Sequence, residues 1–375
     1  MHYLDNSATT RVCPEAAQAA LQAMTETFGN PSSTYTLGRE AKKLLDLSRK
    51  QVSDALGCTP RELVFTSCGS ESDNWAILGG AEAMKRRGKH VISSLVEHDA
   101  VRKSLDELEA RGFEVTRLKP EKDGSVSPEA VLAALREDTV LVTLMLVNNE
   151  TGGVTDIASV AKGLRARGSS ALLHTDAVQG FLKVPFSAKS LGADLISVSG
   201  HKIHAPKGVG ALYLRQGLRL KPFILGGGQE EGRRAGTEAM PQIAAFGEAC
   251  RIGKAGMSEN IRRMAALKQE LLEELRAGIP ELGWVESAAP HILSVSLPGW
   301  RSEVLMNFLE TREIYVSKSS ACKKGGRSHV LEAIGLDARA IDGALRIGLS
   351  RMSTEEDILA LVRGLLDARA SLAHR

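Results

Sequence analysis

No apolar run in this 375-residue sequence approaches the ~18–20 residues needed to cross a bilayer, which argues against a membrane span. The first residues, Met1-His2-Tyr3-Leu4-Asp5-Asn6, lack the basic and apolar regions of a secretory signal, so a cytoplasmic location is expected. Excess charge is also missing: 48 Lys and Arg face 45 Asp and Glu, interspersed along the chain, and nothing points to a nucleic-acid partner. The five cysteines (Cys13, Cys58, Cys68, Cys250 and Cys322) form an odd, scattered set without a Cys-x-x-Cys pair. That pattern argues against a disulfide framework or a zinc site and fits a reducing compartment, while leaving room for a single working thiol. Internal repeats and low-complexity tracts are absent as well.

What is present is a soluble globular composition, 43% hydrophobic and 25% charged, in a chain long enough for two domains. Apolar residues at helical spacing from Gly38 to Leu56, closed by Gly57, predict a helix. Further helices are expected over Glu71–Arg87, Val101–Ala110, Ser127 to about Arg136, and Asp156–Arg167. Between them fall β-rich runs at Glu62–Thr66, His90–Ser94, Phe113–Leu118, Thr139–Val147, Ala171–Thr175, Asp194–Ser199 and Val209–Leu214. Such alternation predicts an α/β fold with a mainly parallel central sheet and helices on both faces. After Gly226-Gly227-Gly228 the character changes to a long helix near Met257–Ala277 and a smaller α+β unit. A large domain over residues 15–255 and a small one built from 1–14 and 256–375 are expected.

Lys202 follows the run Asp194–Ser199, at the strand end where α/β proteins place their ligands. In apolar surroundings its amine would have a lowered pKa and attack an aldehyde; in an open loop it would be an ordinary solvated lysine. His201 and His204 also raise a metal site, but no third ligand lies at suitable spacing. Asp176 emerges from the strand Ala171–Thr175 at the same sheet edge as Lys202. A carboxylate there suits the pyridinium nitrogen of pyridoxal phosphate (PLP), and Gln179 could donate to that ring's phenolic oxygen. Capping of a following helix is the plainer role for Asp176. Thr66-Ser67-Cys68-Gly69-Ser70 leads a strand into a helix start with free N–H groups and hydroxyls, which suits a phosphate. Simple capping by Ser70 and Asp73 accounts for the same pattern. Cys322 sits in a polar, Gly-rich loop beside Lys323 and Lys324, where its thiolate would be favoured, unless it is an incidental surface cysteine.

With these motifs in hand, the sequence resembles the cysteine desulfurases of the class V aminotransferase superfamily, fold-type I PLP enzymes, over nearly its whole length. The marks are Tyr3-Leu4-Asp5-Asn6-Ser7-Ala8-Thr9-Thr10, Phe28-Gly29-Asn30-Pro31-Ser32-Ser33, Val64-Phe65-Thr66-Ser67, Glu97-His98 and Val147-Asn148-Asn149-Glu150-Thr151-Gly152. His174-Thr175-Asp176-Ala177-Val178-Gln179, Ser199-Gly200-His201-Lys202, Gly226-Gly227-Gly228-Gln229-Glu230, Gly236-Thr237 and Ser320-Ala321-Cys322 complete the ordered set.

The resemblance implies that Lys202 carries PLP as a Schiff base, Asp176 pairs with the pyridine nitrogen and Gln179 contacts the phenolic oxygen. It implies that His98 stacks on the ring and moves protons, with Asn149 beside ring and substrate. Gly69, Ser70, Ser199 and His201 would hold the phosphate, joined by Thr237 from a second subunit of a homodimer. Arg346 would grip the substrate carboxylate, and Asn6 and Ala8 would line the same pocket. The implied reaction converts L-cysteine to L-alanine, leaving a persulfide on Cys322 that passes to an acceptor protein or thiol, in iron–sulfur cluster assembly, transfer-RNA thiolation or cofactor synthesis. Three departures stand out: Cys68-Gly69-Ser70 replaces the usual Gly-Ala-Thr, Ser319-Ser320 replaces Gly-Ser, and the loop after Cys322 is short and basic (Lys323, Lys324, Arg327). A selenocysteine lyase or a class V aminotransferase on the same scaffold, and more distantly a non-catalytic partner-binding homologue, are the alternatives.

Overall fold

The computed structural model describes residues 1–318 and 327–372. A seven-stranded sheet is built from β1 (Leu63–Thr66), β2 (His90–Ser94), β3 (Glu114–Leu118), β4 (Thr139–Met145), β5 (Leu172–Asp176), β6 (Leu195–Ser199) and β7 (Gly210–Leu214), in the order β1-β7-β6-β5-β4-β2-β3. Strands β2 to β6 run parallel, and β7 lies antiparallel between β6 and β1. The reversal follows from length. Parallel pairing needs a crossover of about a dozen residues or more, whereas β6 and β7 are joined only by 200–209, whose regular structure is one 3₁₀ turn, Gly200–Lys202. Lys202 is therefore fixed on a tight return.

Both faces of the sheet are covered, as the apolar strand runs predict. Val91, Leu141, Leu172, Leu195 and Leu212 join one buried cluster, with Trp75, Val101 and Leu105 from the helices beside it. Their chain neighbours Ile92, Val142, Leu173, Ile196 and Ala211 join another, with Leu45, Val52, Val160 and Phe246. Alternate residues of a strand face opposite sides, so this division is the pleat itself.

A second, antiparallel sheet holds β8 (Gly283–Val285), β9 (Ile292–Ser296), β10 (Ser317–Lys318) and β11 (Ala344–Gly348), in the order β10-β11-β9-β8. Its core includes Leu4 and residues of the helices Met257–Gly278, Ser302–Glu310 and Glu355–Ser371. The chain's start belongs here: His2 and Tyr3 pair with Ile314 and Tyr315, and the Gly348 N–H donates to the Leu4 carbonyl at 2.6 Å. Glycine is required at 348, because a Cβ would stand 2.5 Å from the Ser7 nitrogen.

Three local expectations are corrected. Ser70 and Asp73 do not form a capping box: the helix already begins at Gly69, after Cys68, without a side-chain cap. The predicted helix 71–87 runs instead from Gly69 to Met84, with a π-helical turn over Trp75–Gly79 inside it, where the Trp75 indole donates to the Lys221 carbonyl at 2.8 Å. Two helices with no counterpart in the sequence reading, Pro14–Thr25 and Met240–Ala255, are rich in alanine and other small residues and show no clean apolar stripe.

Candidate active site

The parallel strands deliver their following loops to one edge, where a cavity of about 340 Å³ opens. Its lining includes Gly69 and Ser70 after β1, His98 after β2, Asn149 after β4, Asp176 and Gln179 at and after β5, and Ser199, His201 and Lys202 at and after β6. Arg346 of β11 and Ser7 and Ala8 of the N-terminal segment close it from the second sheet. A volume of this size suits a small organic ligand.

Lys202 Nζ donates to the carbonyls of Ser7 at 2.6 Å and Ala8 at 2.7 Å. Those carbonyls are held in place because Thr10 binds the return turn: its N–H and hydroxyl donate to the His201 carbonyl, each at 2.9 Å. Asp176 is buried, with one oxygen accepting from the Val178 N–H at 2.9 Å. Burial raises its pKa, opposed by the nearby His98 and Lys202. His98 caps the helix Asp99–Ala110 and accepts the Ala100 N–H on Nδ1 at 3.1 Å, which leaves Nε2 as the protonated nitrogen of the neutral ring. Burial, reinforced by Lys202, pushes His201 down to about 3, so its ring is neutral. His204 Nδ1 lies 2.8 Å from the Arg11 carbonyl and is engaged there.

Arg346 is almost wholly buried. Its Nη1 donates to the Asn149 carbonyl at 2.9 Å, while Nη2 donates to Asp5 at 3.1 Å and to the Ser317 hydroxyl at 2.9 Å. Nε has no partner among the described residues. Gln179 Nε2 donates to the Ser7 carbonyl at 2.8 Å, leaving Oε1 unpartnered. Asn6 is not in the cavity lining; its amide donates to the Tyr3 and Gly348 carbonyls and ties the N-terminal segment to β11. Thr237 is exposed and also lies outside the lining. Cys322 falls outside the described residues. The chain on either side of that segment is bound at or beside the cavity: Ser317 to Asp5 and Arg346, and Ser328 to Glu150, next to Asn149.

The residues fit pyridoxal phosphate. Buried polar groups are ordinarily satisfied, yet Ser199 Oγ, Gln179 Oε1 and Arg346 Nε are enclosed with no partner among the described residues, and all three residues line this one cavity. Gly69 lacks the Cβ that would stand 2.8 Å from Val178, so the helix start stays open toward the cavity. A carboxylate, a lysine and a hydroxyl-bearing helix start are thus brought together as a pyridine nitrogen, an aldehyde and a phosphate require.

Asp73, which the sequence marks only as a cap, and Glu97, marked only beside His98, carry no site role in the sequence reading. Asp73 lines the cavity floor, with His174 Nε2 3.6 Å from Oδ1; one helical turn after Gly69, its spacing toward the sheet was the available signal. Burial, then Asp176, raises the Asp73 pKa well above its ordinary value. Behind it, His174 bonds Thr143 and Ser197 and is pushed by burial down to about 3. Glu97 accepts the Ser94 hydroxyl at 2.5 Å, and burial pushes its carboxyl up to about 8. Because the folded pKa lies above the unfolded one of about 4.3, Glu97 contributes stability that is full at acid pH and is lost as pH rises through about 8. Glu97→Gln, which keeps the neutral form, should therefore gain on the wild type by at most about 1.4 kcal/mol per pH unit through that window. Urea unfolding midpoints at several pH values check this; a pH-independent difference would contradict it.

The fold and site define a class: the aminotransferase class-V family model matches residues 2–361, and the chain belongs to that family. Among its relatives, cysteine desulfurase IscS of Methanosarcina thermophila is 43% identical over 361 residues, covering 95% of this chain and 89% of that one. A solved NifS-like protein superposes with a TM-score of 0.93 at 36% identity, covering 99% of each chain. A structure described as SspA in complex with cysteine gives 0.81 at 31% identity, covering 94% of this chain and all of that one.

Proposed function

We propose that this chain is a PLP-dependent cysteine desulfurase that converts L-cysteine to L-alanine and passes the sulfur through Cys322. The observation that carries the reading is the placement of Lys202, Asp176 and Arg346 around one cavity, in a chain 43% identical to a cysteine desulfurase. We read residues 15–255 as the cofactor-binding unit and 1–14 with 256–375 as the unit that brings Arg346 and Cys322.

When bound, pyridoxal phosphate supplies an aldehyde and an electron-withdrawing ring that accepts the electron pair left at the substrate α-carbon. Asp176 would hold the proton of the pyridine nitrogen, and Gln179 would contact the phenolic oxygen. Gly69, Ser70, Ser199 and neutral His201 would hold the phosphate. His98 would stack on the ring, with a transferable proton at Nε2. Arg346 takes the substrate carboxylate, with Asn149 and Ala8 beside it and Asn6 fixing the segment that bears Ala8. Lys202 Nζ removes the α-proton. The Cys322 thiolate then attacks the substrate sulfur: the new S–S bond forms as the substrate C–S bond breaks, and the electron pair leaves with carbon. Protonation of that carbon and return of a proton to the α-carbon give alanine, and Cys322 keeps the sulfur as a persulfide for an acceptor protein or thiol.

A homodimer supports the phosphate site, with Thr237 of the partner subunit completing it. Exposed Phe223, Ile224 and Leu225, just before Gly226-Gly227-Gly228, are apolar surface suited to such a contact. The setting is the cytoplasm, and iron–sulfur cluster assembly or transfer-RNA thiolation is the destination of the sulfur. Release of alanine from L-cysteine by the purified holoenzyme tests the reading; absence of alanine would refute it.

Arg346 offers a sharper check. Lysine keeps the charge but not the planar fork, so Arg346→Lys should raise the KM for L-cysteine at least about tenfold while cofactor affinity stays close to wild type. An unchanged KM would remove Arg346 from substrate binding.

A further inference from the structure

One buried base has no place in that chemistry. Lys183 lies in the tight turn that follows β5, its N–H donating to the Gly180 carbonyl at 3.0 Å. The residue before it, Leu182, has φ +59°, a left-handed conformation that costs a leucine strain. Gly253 makes room for that leucine, since a Cβ there would stand 2.8 Å from it. The turn thereby carries Lys183 inward, where it is 5% exposed and its amine has no partner among the described residues.

Lys183 shares its surroundings with Lys202. Both lysines line a small cavity of about 30 Å³ with Ile203, His204, Asn260, Ser350 and Arg351, and no carboxylate among the described residues lines it. The other titratable groups that act on Lys183, or feel its charge, are also bases: His201 and His204 on the return turn, Arg346 on β11, and His291 just before β9. Burial, followed by the charges of Lys202 and Arg346, pushes the Lys183 amine down to about 7. An unpaired buried ammonium disfavours folding, and a methionine of similar reach would fill the same space without that cost. Packing alone gives no reason for a lysine here.

We propose that Lys183 is a positioning residue acting through charge: set beside Lys202, it weakens the hold of the Lys202 nitrogen on its proton and keeps that nitrogen ready to act as a base near neutral pH. Two amines lining one small cavity accommodate one proton more readily than two, and Lys183 thereby opposes Asp176, the carboxylate that lines the larger cavity with Lys202. The inference rests on the reading that Lys202 carries the cofactor.

The test is a pH titration of the visible absorbance of the lysine-bound cofactor in holoenzyme, for the wild type, Lys183→Met and Lys183→Arg. Lys183→Met should move the midpoint upward by about one pH unit, whereas Lys183→Arg, which keeps the charge, should stay near the wild type. The thermal midpoint of Lys183→Met should not fall, because an unpaired charge has been removed from the interior. An unmoved absorbance midpoint in Lys183→Met would overturn the proposal. Should Lys183→Met fail to fold, Lys183→Gln takes its place under the same criterion; loss of the fold in both neutral variants would assign Lys183 to structure and overturn the proposal equally. A wild-type holoenzyme preparation without a lysine-linked visible band at any pH would instead refute the cofactor assignment itself.

Discussion

Lys202→Ala is expected to lower alanine formation from L-cysteine by roughly 10³-fold or more, because one nitrogen is asked both to bond the cofactor and to take the α-proton. The visible band of the lysine-linked cofactor should vanish with it. The fold should survive, since the lysine's described hydrogen bonds go to the Ser7 and Ala8 carbonyls at the rim of the cavity rather than into either core. Circular dichroism and a thermal midpoint close to wild type would establish that the loss is chemical. Retention of a tenth of the wild-type rate would contradict the assignment of Lys202 as both anchor and base.

The second large effect concerns the thiol. Cys322→Ser should reduce alanine formation by about 10² to 10³-fold, the range expected when an activated nucleophile is removed. The lysine-linked band and its response to added L-cysteine should persist, because Lys202, Asp176 and Arg346 are untouched. The split separates the readings of this scaffold. A transaminase has no use for the thiol and would be unaffected, and a lyase that eliminates sulfur directly would keep its rate. Two of the other cysteines are poorly suited to substitute for it. Cys250 is buried, and burial raises its thiol pKa well above the ordinary value. Cys58, partly buried, is pushed up to about 12, again by burial first.

Much of this fold is legible in the sequence because the central strands are buried on both faces. A run such as Thr139–Met145, every residue of which is buried, leaves a signal that no solvated loop imitates. The site residues are legible for a related reason: Asp176, Ser199 and Lys202 stand at or just after strand ends, where the sheet must present them together. The resemblance supplied their roles, and the strand ends supplied their meeting place. Other features depend on contacts that local pattern does not encode. The reversal of β7 is set by the shortness of the return that carries Lys202. The helix start at Gly69 is one residue earlier than the serine that looks like a cap, and Glu71 in its first turn reaches back to the Ser67 N–H and to Arg234. Asn6 reads as a pocket residue in its motif, yet its amide serves the backbone of Tyr3 and Gly348. Lys183 has no mark in the local pattern; the left-handed Leu182 and the room left by Gly253 carry it inside.

The central claim is that one chain both releases alanine and retains the sulfur, and a single-turnover experiment with L-cysteine carrying radiolabelled sulfur measures both at once. The account predicts alanine and protein-bound label in equal amounts, with the label on the peptide that contains Cys322 and released by a reducing thiol. Alanine formed with the label free in solution and none on Cys322 would contradict it.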